Sequence, residues 1–144
     1  MRVELVRAKI ARLRNTAAAL RGCLPEEPAA LRASRDALDL VAFRFYLAVQ
    51  EAVDLSSHVV SDQGWGPLPT LREHFSVLRD RGVVAAPVAD TLAAAIKVRN
   101  LIGHAYAEID AHKLHAAAKA LTPLIEPFCA SVLAFAESHD DAKS

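Results

Sequence analysis

The chain has 144 residues, with 17 Lys and Arg against 17 Asp and Glu for a net charge of zero, and 53% hydrophobic residues against 24% charged. That length and composition, with only 5 Gly and 7 Pro, point to a single domain with a sizeable core and exclude disordered, collagen-like and low-complexity chains. Neutrality argues against a domain that coats nucleic acid by bulk charge, because that affinity comes from Lys and Arg neutralising phosphates; any contact with RNA or DNA has to be local.

Taken in chain order, Val3, Val6, Ile10, Leu13, Ala17 and Leu20 are spaced alternately three and four apart, which puts them on one stripe of a first helix. The basic residues Arg2, Arg7, Lys9, Arg12, Arg14 and Arg21 fall mostly on the other side. This segment reads as a helix of the domain, since no serine-rich or cleavable stretch follows that would make it a transit peptide. Gly22 and Pro25 end it, and Pro25 to Ala30 reads as a loop. Ser34 is the expected N-cap of a long, apolar second helix running to about Ser61, central in the fold because two adjoining stripes of it are apolar.

Ser61 to Pro69 holds two glycines and two prolines and reads as a loop. Trp65 within it is expected to anchor that loop. Thr70 and Glu73 fit a capping box opening a short third helix that ends near Gly82. Pro87 suits the first turn of a fourth helix, expected to run to about Asp110, which can itself cap the next. Pro123 and Pro127 divide the remainder into a short helix and a last one bearing Leu124, Phe128, Val132 and Phe135. No strand alternation occurs. The class is therefore all-α, an up-down bundle of about five to six helices forming one domain over residues 1–137, with a frayed tail over 138–144. No apolar run approaches about 18 residues, so no membrane span is expected. Cys23 and Cys129 are too few for a disulfide framework, which points to reduced thiols in the cytoplasm.

The chemistry concentrates in residues 97–110 (KVRNLIGHAYAEID), where Arg99, Asn100, His104 and Tyr106 fall within eight positions of an alanine-rich helix. Polar groups on such a helix need a reason. On an ideal helix Arg99 and Tyr106 lie within about 20° of each other, while Arg99 and His104 are about 140° apart. The set does not share one face. Gly103 permits a bend, an early helix end or close approach of another backbone. If the same helix of a two-fold partner packs there, Arg99 and His104 of both chains can converge in one cleft. A histidine can take a proton from a ribose 2′-hydroxyl or give one to a leaving oxygen, and a fork-shaped arginine can hold a phosphate. Those are the needs of metal-independent RNA cleavage. Asn100 suits orientation of the imidazole or a hydrogen bond to phosphate, and Tyr106 can position RNA or expose a hydroxyl to modification.

The run Arg99-Asn100-Leu101-Ile102-Gly103-His104-Ala105-Tyr106 resembles the R-x4-H-x-Y signature, with Asn after Arg, of the HepT-like toxins of the HEPN superfamily. The similarity extends over roughly residues 35 to 137. The position before the histidine, usually branched and apolar in that family, is Gly103 here, and the bulky residue often following the tyrosine is Ala107. The resemblance implies a dimeric helical ribonuclease toxin of a toxin–antitoxin system, needing no cofactor or metal, with Arg99 and His104 as catalytic pair and Asn100 beside them. It further implies a cognate MntA-like nucleotidyltransferase antitoxin that transfers AMP to Tyr106, adding bulk and negative charge where the RNA phosphate binds.

Two other classes remain open on the sequence. One is a catalytically silent binding module that docks the nucleotidyltransferase and presents Tyr106. The other is a helical metalloenzyme, for which Asp110, His112 and His115, or Glu51, Asp54 and His58, are the candidate ligands. Their spacing does not match a known helical metal motif, so structural or solvated roles are favoured for both groups.

Overall fold

In a computed structural model describing residues 1–140, the described residues form helices joined by short connections, with no strand among them. In order come α1 (Val3–Cys23), α2 (Ala29–Ala33), α3 (Arg35–Gln63), α4 (Leu71–Asp80), α5 (Ala86–His104), α6 (Ala111–Leu121) and α7 (Ile125–Ser138). Short 3-10 turns at Tyr106–Glu108 and Thr122–Leu124 join α5 to α6 and α6 to α7. α7 ends at Ser138, and the rest of the tail expected to fray, residues 141–144, lies outside the described residues.

α3, 29 residues long and so about 43 Å from end to end, is the central element. Ser34 caps it, its hydroxyl accepting from the Ala37 amide at 3.2 Å. At the other end Gly64 turns the chain with a positive φ of 70°, a conformation that costs glycine nothing. α1 packs along α3 through the expected stripe: Val6, Leu13 and Leu20 are wholly buried. Phe45, Phe75 and Phe128, from α3, α4 and α7, are all buried in the core, the last two meeting edge to face with centroids 6.2 Å apart.

Four local expectations change. Residues 29–33 form a short helix, α2, that begins within the stretch read as a loop and fills the gap before Ser34. Thr70 occupies the N-cap of α4, but its side chain makes no capping hydrogen bond, so the capping box does not form. α5 stops at His104 instead of reaching Asp110; Asp110 nevertheless caps α6, accepting from the amides of His112 and Lys113 at 2.8 and 3.1 Å. Finally, residues 111–138 contain an 18-residue window of mean hydropathy 1.3, long and apolar enough to match a membrane span by composition. Here that stretch is two helices interrupted at Thr122–Leu124, and Leu114, Ala118, Leu121, Phe128, Val132 and Ala136 face the core.

Candidate active site

The end of α5 is fixed by close packing at Gly103. A Cβ built there would come within 3.3 Å of Cε2 of the Tyr46 ring on α3, closer than side chains normally sit, so glycine lets the two helices approach with the tyrosine between them. α5 ends one residue later, and Ala105 leaves the helical path with φ −148° and ψ 49°. Tyr106 therefore does not continue the α5 surface. The 20° proximity to Arg99 expected on an ideal helix is lost, and the two side chains go to different places on α3.

Arg99 lies over the same aromatic ring, its Cζ 4.7 Å from the Tyr46 centroid. One of its terminal nitrogens donates to Gln50 Oε1 at 2.6 Å and the other to Asn100 Oδ1 at 3.0 Å. Gln50 in turn donates to Asp54 at 3.2 Å. Nε of Arg99 is buried without a hydrogen-bond partner. Among the described residues no carboxylate pairs directly with this guanidinium; a ring and two neutral amides hold it. A half-buried arginine so held keeps its charge for an anion. Asn100, exposed, orients Arg99 in this state and not the imidazole.

His104 is exposed at the last residue of α5, and its imidazole forms no hydrogen bond among the described residues. Tyr106 is half-buried and donates its hydroxyl to Asp39 Oδ1. The same Asp39 oxygen lies 3.2 Å from Arg35 Nε, and the Arg35 guanidinium sits 5.1 Å from the Tyr106 ring centroid. Burial, followed by the hydrogen bond to Asp39 and that carboxylate's charge, pushes the Tyr106 phenol up to about 12, with Arg35 opposing.

Arg35, Asp39, Phe43, Tyr46, Gln50 and Asp54 follow one another at spacings of three and four along α3, all within an arc of about 100°. Sequence reading missed this stripe as the partner of the motif. Its signal was available: polar residues recurring on one line of an otherwise apolar helix. Between the Tyr106 and Arg99 ends runs an open, largely apolar groove of about 460 Å³ lined by Asp39, Phe43, Tyr46, Ile102, Gly103 and Tyr106. Phe43 in its lining, and Leu40 and Leu47 near it along α3, are the exposed large hydrophobic residues among those described, at 63%, 41% and 36% exposure.

The remaining candidates take other partners. His115 is buried with Nε2 2.7 Å from the Pro25 carbonyl, and His112 meets Arg32 at 3.2 Å. Glu51 is buried against the Thr16 hydroxyl at 2.5 Å; Asp54 serves Gln50; and His58 has a buried Nε2 without a partner. Among the described residues no cluster of three or more His, Cys, Asp or Glu suited to a metal ion forms. Trp65 packs on Phe135 with centroids 5.8 Å apart and lies under Arg81 at 5.0 Å, anchoring its loop as expected.

A family model described as "Ribonuclease HepT-like" matches residues 13–132. Among solved structures, the chain is similar to a toxin–antitoxin complex with AMP-PNP at 17% identity and TM-score 0.82, covering 91% of this chain and 98% of that one. It is similar to the tri-AMPylated Shewanella oneidensis HEPN toxin in complex with MNT antitoxin at 18% identity and TM-score 0.79, covering 90% and 96%. A third likeness is to YutE of Bacillus subtilis, a cytosolic protein of unknown function, at 14% identity and TM-score 0.80, covering 95% and 92%. No curated protein matches the sequence. At these identities the likenesses establish the helical HEPN fold.

Proposed function

This chain belongs to the HepT-like ribonuclease family, and we propose that it is a cytoplasmic, metal-independent endoribonuclease, the toxin of a toxin–antitoxin pair, silenced when a nucleotidyltransferase antitoxin adds AMP to Tyr106. The observation that carries the catalytic reading is Arg99: a half-buried guanidinium held by neutral groups, with one buried nitrogen unpaired, five residues before a freely exposed His104. In the proposed reaction His104 removes the proton of a ribose 2′-hydroxyl. The 2′-oxygen then attacks the adjacent phosphorus, and the bond to the 5′-oxygen breaks as that oxygen is protonated. Arg99 holds the charge that builds on the phosphoryl oxygens. The products are a 2′,3′-cyclic phosphate and a 5′-hydroxyl, and no step requires a cofactor.

We read the working unit as a homodimer. The exposed patch of Leu40, Phe43 and Leu47 along α3 is what a monomer ordinarily covers. A two-fold pairing there brings two copies of the motif segment together, so that Arg99 of one copy and His104 of the other can act on one phosphate, with water protonating the leaving oxygen. Modification fits the same geometry. Tyr106 and the Tyr46 ring beneath Arg99 line one groove, so a nucleotidyl group on the phenol enters the path to Arg99 and offers it a competing phosphate.

The test is incubation of the purified protein with RNA in EDTA. Cleavage with 2′,3′-cyclic phosphate ends is expected; intact RNA together with tight binding of the nucleotidyltransferase would favour the silent binding module. For the modification, intact mass after incubation with the antitoxin and ATP is expected to rise by AMP units in the wild type and to stay unchanged in Tyr106→Phe.

A further inference from the structure

If Tyr106 is the acceptor of a nucleotidyl group, as the reading above holds, its hydroxyl has to lose a proton during transfer. The surroundings make that loss difficult without help, since burial and the Asp39 contact keep the phenol protonated far above neutral pH. One carboxylate is already in place: Tyr106 donates its hydroxyl to Asp39 Oδ1. Arg35, on the same face of α3 one turn earlier, contacts that oxygen from the other side at 3.2 Å and lies over the phenol ring at 5.1 Å. The side chains of Arg35 and Asp39 are 66% and 50% exposed, so an enzyme bringing a nucleotide from solvent can reach both.

We propose that this chain supplies part of the chemistry of its own modification, with Asp39 accepting the Tyr106 proton and Arg35 receiving the incoming phosphoryl group. The phenol oxygen attacks the α-phosphorus of a nucleoside triphosphate. The oxygen–phosphorus bond forms as the bond to the β-phosphate bridging oxygen breaks, pyrophosphate departs, and the phenolic proton passes to Asp39 Oδ1. An aspartate accepting a hydroxyl proton in phosphoryl transfer is the arrangement used by protein kinases; here it sits on the acceptor. The product carries a phosphodiester beside Asp39, and the repulsion between the two negative groups is offset as Arg35 turns from the carboxylate to the phosphate.

The charged groups around the pair are few. Arg32, Asp110 and His112 share with Arg35 an adjoining pocket of about 400 Å³, and His104 and Glu108 flank Tyr106 in sequence. Of these charged groups, Asp39 and Arg35 bear on the phenol.

The experiment is single-turnover AMP addition, followed by intact mass, with an MNT-type nucleotidyltransferase and ATP, between pH 7.5 and 9.5, above the range in which free histidine titrates. Wild type, Asp39→Asn, Asp39→Glu and Arg35→Ala are compared, and each variant's fold is verified by circular dichroism. Asp39→Asn is expected to react about 100-fold more slowly at pH 7.5. Its deficit should shrink about tenfold per pH unit as hydroxide takes over the proton. Asp39→Glu should keep the wild-type pH profile, and Arg35→Ala should be slower at every pH with that profile unchanged. An Asp39→Asn rate equal to wild type, or a deficit constant with pH, overturns the proton-acceptor role. If Asp39→Asn does not fold, the Asp39→Glu profile decides, and a departure from the wild-type slope counts against the role. A wild type that takes no AMP at Tyr106 instead overturns the modification reading itself.

Discussion

The two sides of α3 are built to opposite ends. Toward α1 the helix presents Ala48, Ala52, Leu55 and Val59, all fully buried against a stripe that includes Val6, Ile10 and Leu13. Roughly 180° around the same helix, Asp39, Phe43, Tyr46 and Gln50 face the end of α5, where the groove is open and Arg99 has no directly bound carboxylate among the described residues. Arg99 differs in this from two arginines of the first helix. On α1, Arg14 is held by Glu126 of α7 at 2.6 and 2.8 Å and Arg7 by Glu4 at 3.0 Å, so two of its arginines are held by carboxylates, whereas Arg99 is held by neutral groups. One side stores stability, and the other keeps charge and apolar surface available.

The largest effects should follow from breaking the open side. Removing the proton-transfer group with His104→Ala, or the phosphate-holding group with Arg99→Ala, is expected to lower the RNA cleavage rate by about 100- to 10,000-fold, while leaving thermal unfolding near wild type for exposed His104. On the sealed side the pattern should invert. Leu13→Ala removes a wholly buried side chain and is expected to cost about 2–5 kcal/mol in denaturant unfolding, with cleavage per folded molecule unchanged. Equal damage to both properties by either substitution would erase the distinction.

A smaller effect should come from Phe43→Asp, which places a charge on the 63% exposed ring position. It is expected to leave monomer stability within about 0.5 kcal/mol of wild type, while light scattering reports a shift from dimer to monomer and cleavage is lost. An unchanged dimer would move the interface elsewhere. The smallest effect lies at Glu51, whose carboxyl is raised, mainly by burial and partly offset by the Thr16 hydrogen bond. A raised carboxyl favours the neutral form in the folded state, so its stabilising contribution is full below the ordinary carboxyl range and lost as pH rises through the folded value. When protonated, Glu51 can donate to Thr16, whose own hydroxyl reaches the Arg12 carbonyl at 3.1 Å. Glu51→Gln is accordingly expected to be more stable than wild type by about 1 kcal/mol at pH 7, with the difference fading below about pH 4.

How much of this could be read from the sequence differs between the two sides for a physical reason. The sealed side is written in local periodicity: the α1 stripe, the Ser34 cap and the Asp110 cap all follow from residues a few positions apart and all occur. The open side depends on residues far apart in the chain. The motif residues were visible, but Gly103 acquires its meaning only with the Tyr46 ring 3.3 Å away, and Tyr106 reaches Asp39, 67 positions earlier, only because α5 stops at His104. An ideal helix through residue 110 would have put Tyr106 beside Arg99. Long-range packing, not propensity, set that boundary. Asp54 shows the same limit: singled out as a possible metal ligand, it instead holds the amide that holds Arg99.

Arg99 and His104 acting across a two-fold cleft can be tested in one measurement, a mixed dimer of an Arg99→Ala subunit with a His104→Ala subunit, purified with two different tags and incubated with end-labelled RNA in EDTA beside the wild type and both parent homodimers. With the wild type cleaving, the mixed dimer is expected to cleave far faster than either parent, because one intact Arg99 and one intact His104 still meet in the shared cleft. A mixed dimer as inactive as its parents, or a wild type that leaves the RNA intact, would contradict it.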